Sequence, residues 1–212
     1  MQVHLDGLPI SIARPSLALA LQTAAADALS RGRIIVEVKA DGSILSSDEL
    51  ASPSDEHSAV STLEMLSADP RELVRQTVLD GAEALESVRG EQARAMEQVQ
   101  TGQVGEALET LQGAFITWQA ARDVVARGAA LLKVDLETLR LKGVDERVTF
   151  ATATSSLLSH LSALKDALES QDWSALSDIV GYDLDADATT WHALLTAFAE
   201  HIRGLPAGTG TR

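Results

Sequence analysis

The hydrophobic positions of this chain follow two periods, and the change comes at Asp69. Before Asp69, short runs in which apolar and polar residues alternate surround a single helical stretch, as in small mixed sheets. After Asp69, apolar residues recur every three or four positions, which is typical of amphipathic helices that pack on one another. The pattern therefore predicts an α+β protein in which a small sheet domain precedes an all-helical one.

The first region predicts a hairpin, a helix and three further strands. Asp-Gly pairs at 6–7 and 41–42 are strong signals for two-residue turns. Pro9 cannot donate a hydrogen bond to a neighbouring strand. The second strand of the hairpin is therefore expected either to lie at an edge of the sheet or to begin just after Pro9. The predicted elements are a hairpin over Gln2–Ile12, a helix over Ser16–Ser30, strands at Ile34–Val38 and from Ile44, a polar connection over Ser46–His57 and a strand over Val60–Leu66.

In length and element order, this region resembles the β-grasp topology of ubiquitin-like and bacterial sulfur-carrier domains. The residues that carry the resemblance are the opening Met1-Gln-Val hairpin and the strand and turn over Val36–Gly42. It covers about the first third of the chain and implies a shape. Sulfur carriers act through a free carboxy-terminal Gly-Gly, whereas here the last strand leads into a helix, so carrier chemistry is not implied.

The second region predicts an antiparallel bundle of four to five helices. Asp69 followed by Pro70 and Glu72 is a strong signal for a helix start. Phe115 and Trp118 lie on the apolar stripe of the central helix and are expected in the core, with the other aromatic residues. The predicted helices are one from Asp69 to Gln100, a central one over Gly102–Val134, one capped by Asp145 and ending near Ser170, a short one over Trp173–Val180 and a last one after a break at Gly181–Asp187.

These patterns divide the chain into a β-grasp-like domain over 1–68, a helical bundle over 69–204 and a disordered tail over 205–212. With 212 residues, of which 45% are hydrophobic, the chain is long enough for a sizeable core. Its net charge of −14 argues against nucleic acid and against anionic membrane surfaces, both of which attract basic proteins. Protein partners or further copies of the chain remain as binding partners.

The chain contains no cysteine, which excludes disulfides, thiolate metal sites and cysteine nucleophiles. Its first residues lack the basic and apolar segments of a signal peptide, and no apolar run approaches the roughly 20 residues of a membrane-spanning helix. These features together favour a cytoplasmic protein.

No sequence motif indicates catalysis, a cofactor or a metal. Asp183, Asp185 and Asp187 alternate as in a calcium loop, but Ala188 and Leu194 occupy the positions that require Gly and Glu. We therefore expect Asp185 or Asp187 to cap the last helix instead. His160 is expected at the boundary of the bundle, with its ring reaching solvent.

One helix face is unusual in carrying small hydroxyl residues where charged ones are common. Small side chains permit the close approach of another helix, and hydroxyl groups hydrogen-bond either across such a contact or back to their own helix. We therefore predict either a helix–helix contact, within the chain or with a partner, or an ordinary solvated face. The stripe consists of Thr152, Ser155, Ser156, Ser159 and Ser162, with Ala163 beside them.

Three functions remain open from the sequence. The first is a non-catalytic interaction protein, an adaptor or regulator, since no catalytic motif occurs and both predicted domains suit protein binding. The second is a small acidic helical chaperone for a secreted or flagellar protein. The third is an enzyme whose residues converge only in the folded structure.

Overall fold

The computed structural model describes residues 1–51 and 60–206. In this part of the chain the protein has the predicted α+β fold, with a five-stranded sheet first and a helical bundle after it. The described residues form two compact units, Met1–Leu73 with Pro206 and Val74–Leu205. The predicted boundary after residue 68 lies shortly before this division. Most of the predicted tail lies outside the described residues.

The strand order of the sheet is β2-β1-β5-β3-β4. The central strands β1 and β5 are parallel, and each of the other neighbouring pairs is antiparallel. This is the β-grasp-like arrangement that the sequence pattern predicts. The elements are β1 (Gln2–Leu5), β2 (Leu8–Pro9), α1 (Leu17–Ser30), β3 (Ile34–Ala40), β4 (Ser43–Ile44), α2 (Ser47–Ala51) and β5 (Thr62–Ala68).

Both predicted Asp-Gly turns are present. Asp6 and Asp41 adopt left-handed φ values of 53° and 48°, and each is followed by a glycine with positive φ. A two-residue hairpin turn of this hand requires positive φ at both positions, which Asp and Gly tolerate best. The Asp41 carboxylate also accepts hydrogen bonds from the backbone N–H groups of Ser61 and Thr62, so this turn is tied to the start of β5.

Alternation along the strands places the core of the first unit on one face of the sheet, under α1. Val3 and Leu5 of β1 and Met65 of β5 are buried there with alanines of the helix. The predicted edge position of Pro9 is confirmed, because β2 is an outer strand. The last strand lies two residues later than predicted. The start of the predicted polar connection forms α2, and the rest of it lies outside the described residues.

The helices that follow the sheet pack around a second core. The predicted start at Asp69 is confirmed, since its carboxylate accepts a hydrogen bond of 2.9 Å from the backbone N–H of Arg71. No helix in the described residues is long and apolar enough to cross a membrane. The helices are α3 (Pro70–Gln100), α4 (Val104–Leu132), α5 (Phe150–Ser170), α6 (Trp173–Asp178), a π-helix (Ile179–Asp183) and α7 (Leu184–Arg203).

Trp118 of α4 lies in the centre of this core, as predicted. Its ring meets the ring of Trp191 edge to face at 5.9 Å, and Phe150 joins Trp191 to Phe198 through two further edge contacts. Such pairs stabilise a core beyond the area that they bury. The same expectation is wrong for Tyr182 and Trp173, which are both exposed.

The predicted cap of α5 at Asp145 is wrong. Helix α5 begins after Thr149, whose hydroxyl accepts from the backbone N–H of Thr152 while the Thr152 hydroxyl accepts from that of Thr149. Asp145 instead accepts from the backbone N–H of Arg147 in the turn before the helix.

The predicted break at Gly181–Asp187 is also wrong, because the chain stays helical from α6 through the π-helix into α7. Val180 and Leu184 continue the buried apolar spacing through this segment. Gly181 permits close packing of this segment against Met96 of α3, because a Cβ at position 181 would lie 2.0 Å from the methionine sulfur. Neither Asp185 nor Asp187 caps α7, because both lie inside this continuous run of helix.

Candidate functional site

The first part of α5 carries no formal charge. From Phe150 to Ala163 it contains no Asp, Glu, Lys or Arg, and the first charged side chain is Lys165. At the 23% charged residues of the whole chain, a stretch of this length would carry about three. The segment is therefore neutral in a protein of net charge −14.

The structure places four of the five predicted stripe residues on the exposed side of α5. Thr152, Ser155, Ser159 and Ser162 are exposed, and Leu158 lies among them with 53% of its surface exposed. We call these five residues the neutral face. The absence of charge distinguishes this face, because single exposed apolar side chains such as Leu158 are common on protein surfaces.

The hydroxyl groups of the neutral face differ in their partners. The Thr152 hydroxyl takes part in the capping box at the start of α5. The hydroxyl groups of Ser155, Ser159 and Ser162 make no hydrogen bond to another described residue, whereas the hydroxyl of Ser170 on the same helix donates to the carbonyl of Asp166. The three serines therefore do not follow the back-bonded alternative and remain free to bond across a contact.

Ser156, the fifth predicted residue, turns inward and belongs to a buried polar cluster. Its Oγ donates to Oδ1 of Asp187 on α7 at 2.9 Å, and Nδ1 of His160 lies 2.7 Å from the other carboxylate oxygen. Asp187 is only 5% exposed, so these contacts satisfy a carboxylate that burial would otherwise destabilise. The cluster joins α5 to α7 beside the neutral face.

The geometry of this cluster differs from that of a nucleophilic triad. In a triad the serine bonds the histidine, whereas here Ser156 and His160 both bond the same carboxylate. Nδ1 of His160 therefore faces the carboxylate of Asp187 and not the hydroxyl of Ser156. A catalytic histidine also needs a substrate cleft. Neither the small cavity beside Leu139 and Phe150 nor the groove beside His4 and Glu64 is lined by this cluster.

The three aspartates of the predicted pseudo-calcium run do not converge. Asp185 forms a salt bridge of 2.7 Å with Arg89 of α3, and Asp187 lies in the cluster with His160. In the part of the chain that the structure describes, no three His, Cys, Asp or Glu side chains are grouped so that they could hold a metal ion.

Two features of this region were missed from the sequence. Asp187 was expected as a helix cap, and its partner Ser156 lies 31 residues away, so no local spacing signals the contact. Leu158 adjoins the predicted inward leucines, and only the packing shows that it points outward. Comparison with known proteins gives no match to a protein-family model, to a curated protein or to a solved structure.

Proposed function

We propose that this protein is a non-catalytic interaction protein, an adaptor or regulator, which binds a protein partner through the neutral face of α5. The observation that carries the proposal is a helix surface without charge and with an exposed leucine, in a chain that is strongly acidic elsewhere. Charged residues are depleted in the cores of protein interfaces, where their desolvation is unfavourable.

The side chains of the neutral face suit the approach of a partner helix. Serine is small enough to let two helix axes come close together, and a free hydroxyl can donate to a partner carbonyl. Leu158 supplies the apolar contact that a partner would bury. The fixed position of α5 against α7, through Asp187, means that little ordering of the helix is needed on binding.

We also propose that the protein acts in the cytoplasm. The absence of cysteine suits a reducing compartment, in which disulfides do not persist.

Replacement of Ser159 by Arg tests the proposed function. The substitution places charge and bulk in the centre of the neutral face, and we expect the partner to be lost from complexes isolated from the native cells. Ser87→Arg is the matched control, because Ser87 is an exposed serine of α3 whose helical neighbours include Glu83 and Glu91.

The two variants are compared by melting temperature, by mass in solution and by the proteins that co-purify. We expect both to fold as the parent does and only Ser159→Arg to lose the partner. If Ser159→Arg keeps the same partners and mass as Ser87→Arg, the neutral face is ordinary surface and the proposal is wrong.

A further inference from the structure

The face of the sheet opposite α1 carries a row of side chains that crosses all five strands. Val3, Leu5 and Met65 point to the core under α1, so their neighbours in sequence point to the other face. The strand pairing aligns these neighbours from one edge of the sheet to the other. The row consists of Pro9, His4, Glu64, Lys39 and Ile44.

A groove of about 440 Å³ lies along the middle of this row. His4, Glu64 and Lys39 line it, together with Glu37 and Leu66 from the next positions along β3 and β5. The groove is open along one side. An open groove cannot enclose most of the surface of a small molecule, as ligand pockets do, whereas an extended chain needs contact on one side only.

The groove holds two carboxylates, Glu37 and Glu64, but only one lysine. The Lys39 ammonium lies 2.7 Å from Glu37, and the hydrogen bond and charge of Glu37, together with the charge of Glu64, raise the pKa of Lys39 above its ordinary value. Glu64, which occupies the middle strand, makes no salt bridge with any residue that the structure describes, and its side chain is exposed. The group that would complement it is a cation.

An exposed leucine lies beside this carboxylate. Leu66 follows Glu64 by two residues on the same face of β5 and is 48% exposed. Residues two apart in an extended strand are separated by about 7 Å, so an extended segment that lies over this face of the sheet, along β5, would place two alternate residues on Glu64 and Leu66.

We propose that this groove binds an extended basic segment of a partner protein, with a Lys or Arg side chain on Glu64 and an apolar side chain two positions away on Leu66. The net charge of −14 attracts such a segment and repels a second copy of this chain. The site is separate from the neutral face, so either can fail without the other.

The test uses the full chain, labelled with ¹⁵N, and a blocked seven-residue peptide in which an arginine and a leucine are separated by one threonine. We expect saturable chemical-shift changes at the backbone amides of Lys39, Glu64 and Leu66. Glu64→Lys should weaken binding about tenfold or more, because attraction becomes repulsion. A peptide with glutamate in place of arginine should bind this variant better than it binds the parent protein.

Glu109→Lys is the matched control, because Glu109 is an exposed residue of α4 and the net charge changes by the same amount. Glu64→Gln removes the charge with less disturbance beside Lys39 and should also weaken binding more than the control does. The proposal is overturned if the shifts do not saturate or if Glu109→Lys weakens binding as much as Glu64→Lys does. It is also overturned if the same amides shift with protein concentration alone, which would assign the groove to a second copy.

Discussion

Asp187 is the residue that most directly holds α5 in place. Its buried carboxylate accepts from Ser156 and lies within hydrogen-bond distance of His160. An amide at this position loses the negative charge and replaces one of the two acceptor oxygens by an NH₂ group. We therefore expect Asp187→Asn to lower the free energy of unfolding by about 1.5–3 kcal/mol, the range for hydrogen bonds to charged groups. Urea unfolding followed by far-ultraviolet circular dichroism measures it.

Asp185→Asn is the control for this prediction, two positions away on the same helix. The Asp185 carboxylate pairs with Arg89 at 2.7 Å but is 36% exposed, and such surface pairs contribute about 1 kcal/mol or less. If the two variants lose the same free energy of unfolding, the buried carboxylate of Asp187 stabilises the protein no more than the exposed one of Asp185 does.

Gln92 of α3 places a polar amide in the apolar core of the helices. It is 1% exposed, and neither its amide oxygen nor its nitrogen has a partner among the described residues. An unpaired buried amide costs about 1–3 kcal/mol, so we expect Gln92→Met, which keeps the length of the side chain, to stabilise the protein by about 1 kcal/mol or more. Calorimetry of the purified protein measures this change.

The exposed Gln112 of α4 provides the comparison, and Gln112→Met should change stability by less than about 0.5 kcal/mol. A loss of stability in Gln92→Met would contradict the prediction.

At the scale of elements, the sequence predicted what local chemistry decides. The Asp-Gly turns at 6–7 and 41–42 and the helix start at Asp69 all depend on residues within a few positions. The start of α5 was missed because Thr152 completes the capping box at a position where Glu or Gln is the usual signal.

The π-helix was missed for a different reason. Gly181 and the acidic residues after it favour a break when they are considered alone. In the fold, the buried Val180 and Leu184 keep the segment helical, and Gly181 permits the approach of Met96. Tertiary packing therefore outweighs local propensity here, and the spacing of four residues between Val180 and Leu184 is the sequence signal that could have predicted it.

Two glycines of α4 should respond oppositely to alanine. A Cβ at Gly128 would lie 2.5 Å from Cγ1 of Val74, a β-branched side chain with little freedom to move. A Cβ at Gly113 would meet only Glu91, at 3.9 Å. We expect Gly113→Ala to stabilise by about 0.5–1 kcal/mol, because alanine favours the helix, and Gly128→Ala to destabilise by about 1–3 kcal/mol. Melting temperatures of both variants check this, and stabilisation by Gly128→Ala would contradict the packing of α3 against α4.

At the scale of the whole molecule, the proposed function is supported by the distribution of charge. The sequence alone showed that the first part of α5 is neutral in an acidic chain. The structure was needed to show which serines face outward. Ser156 and Ser159 are the same residue type on the same helix, but in the folded protein only Ser156 lies beside Asp187. The sequence therefore predicted the helix of the candidate site and most of its residues, but not their division between core and surface.

The absence of cysteine from the chain allows the neutral face to be tested directly. A single cysteine in place of Ser159 reports the exposure of that face alone, and one in place of Ser87 reports an exposed position of α3. In the purified protein, both cysteines should react with a maleimide at similar rates. In the native cells, we expect the cysteine at 159 to react several-fold more slowly than the cysteine at 87, because a partner covers it. Equal rates at the two positions in the cells would contradict the proposal that the neutral face is a docking surface.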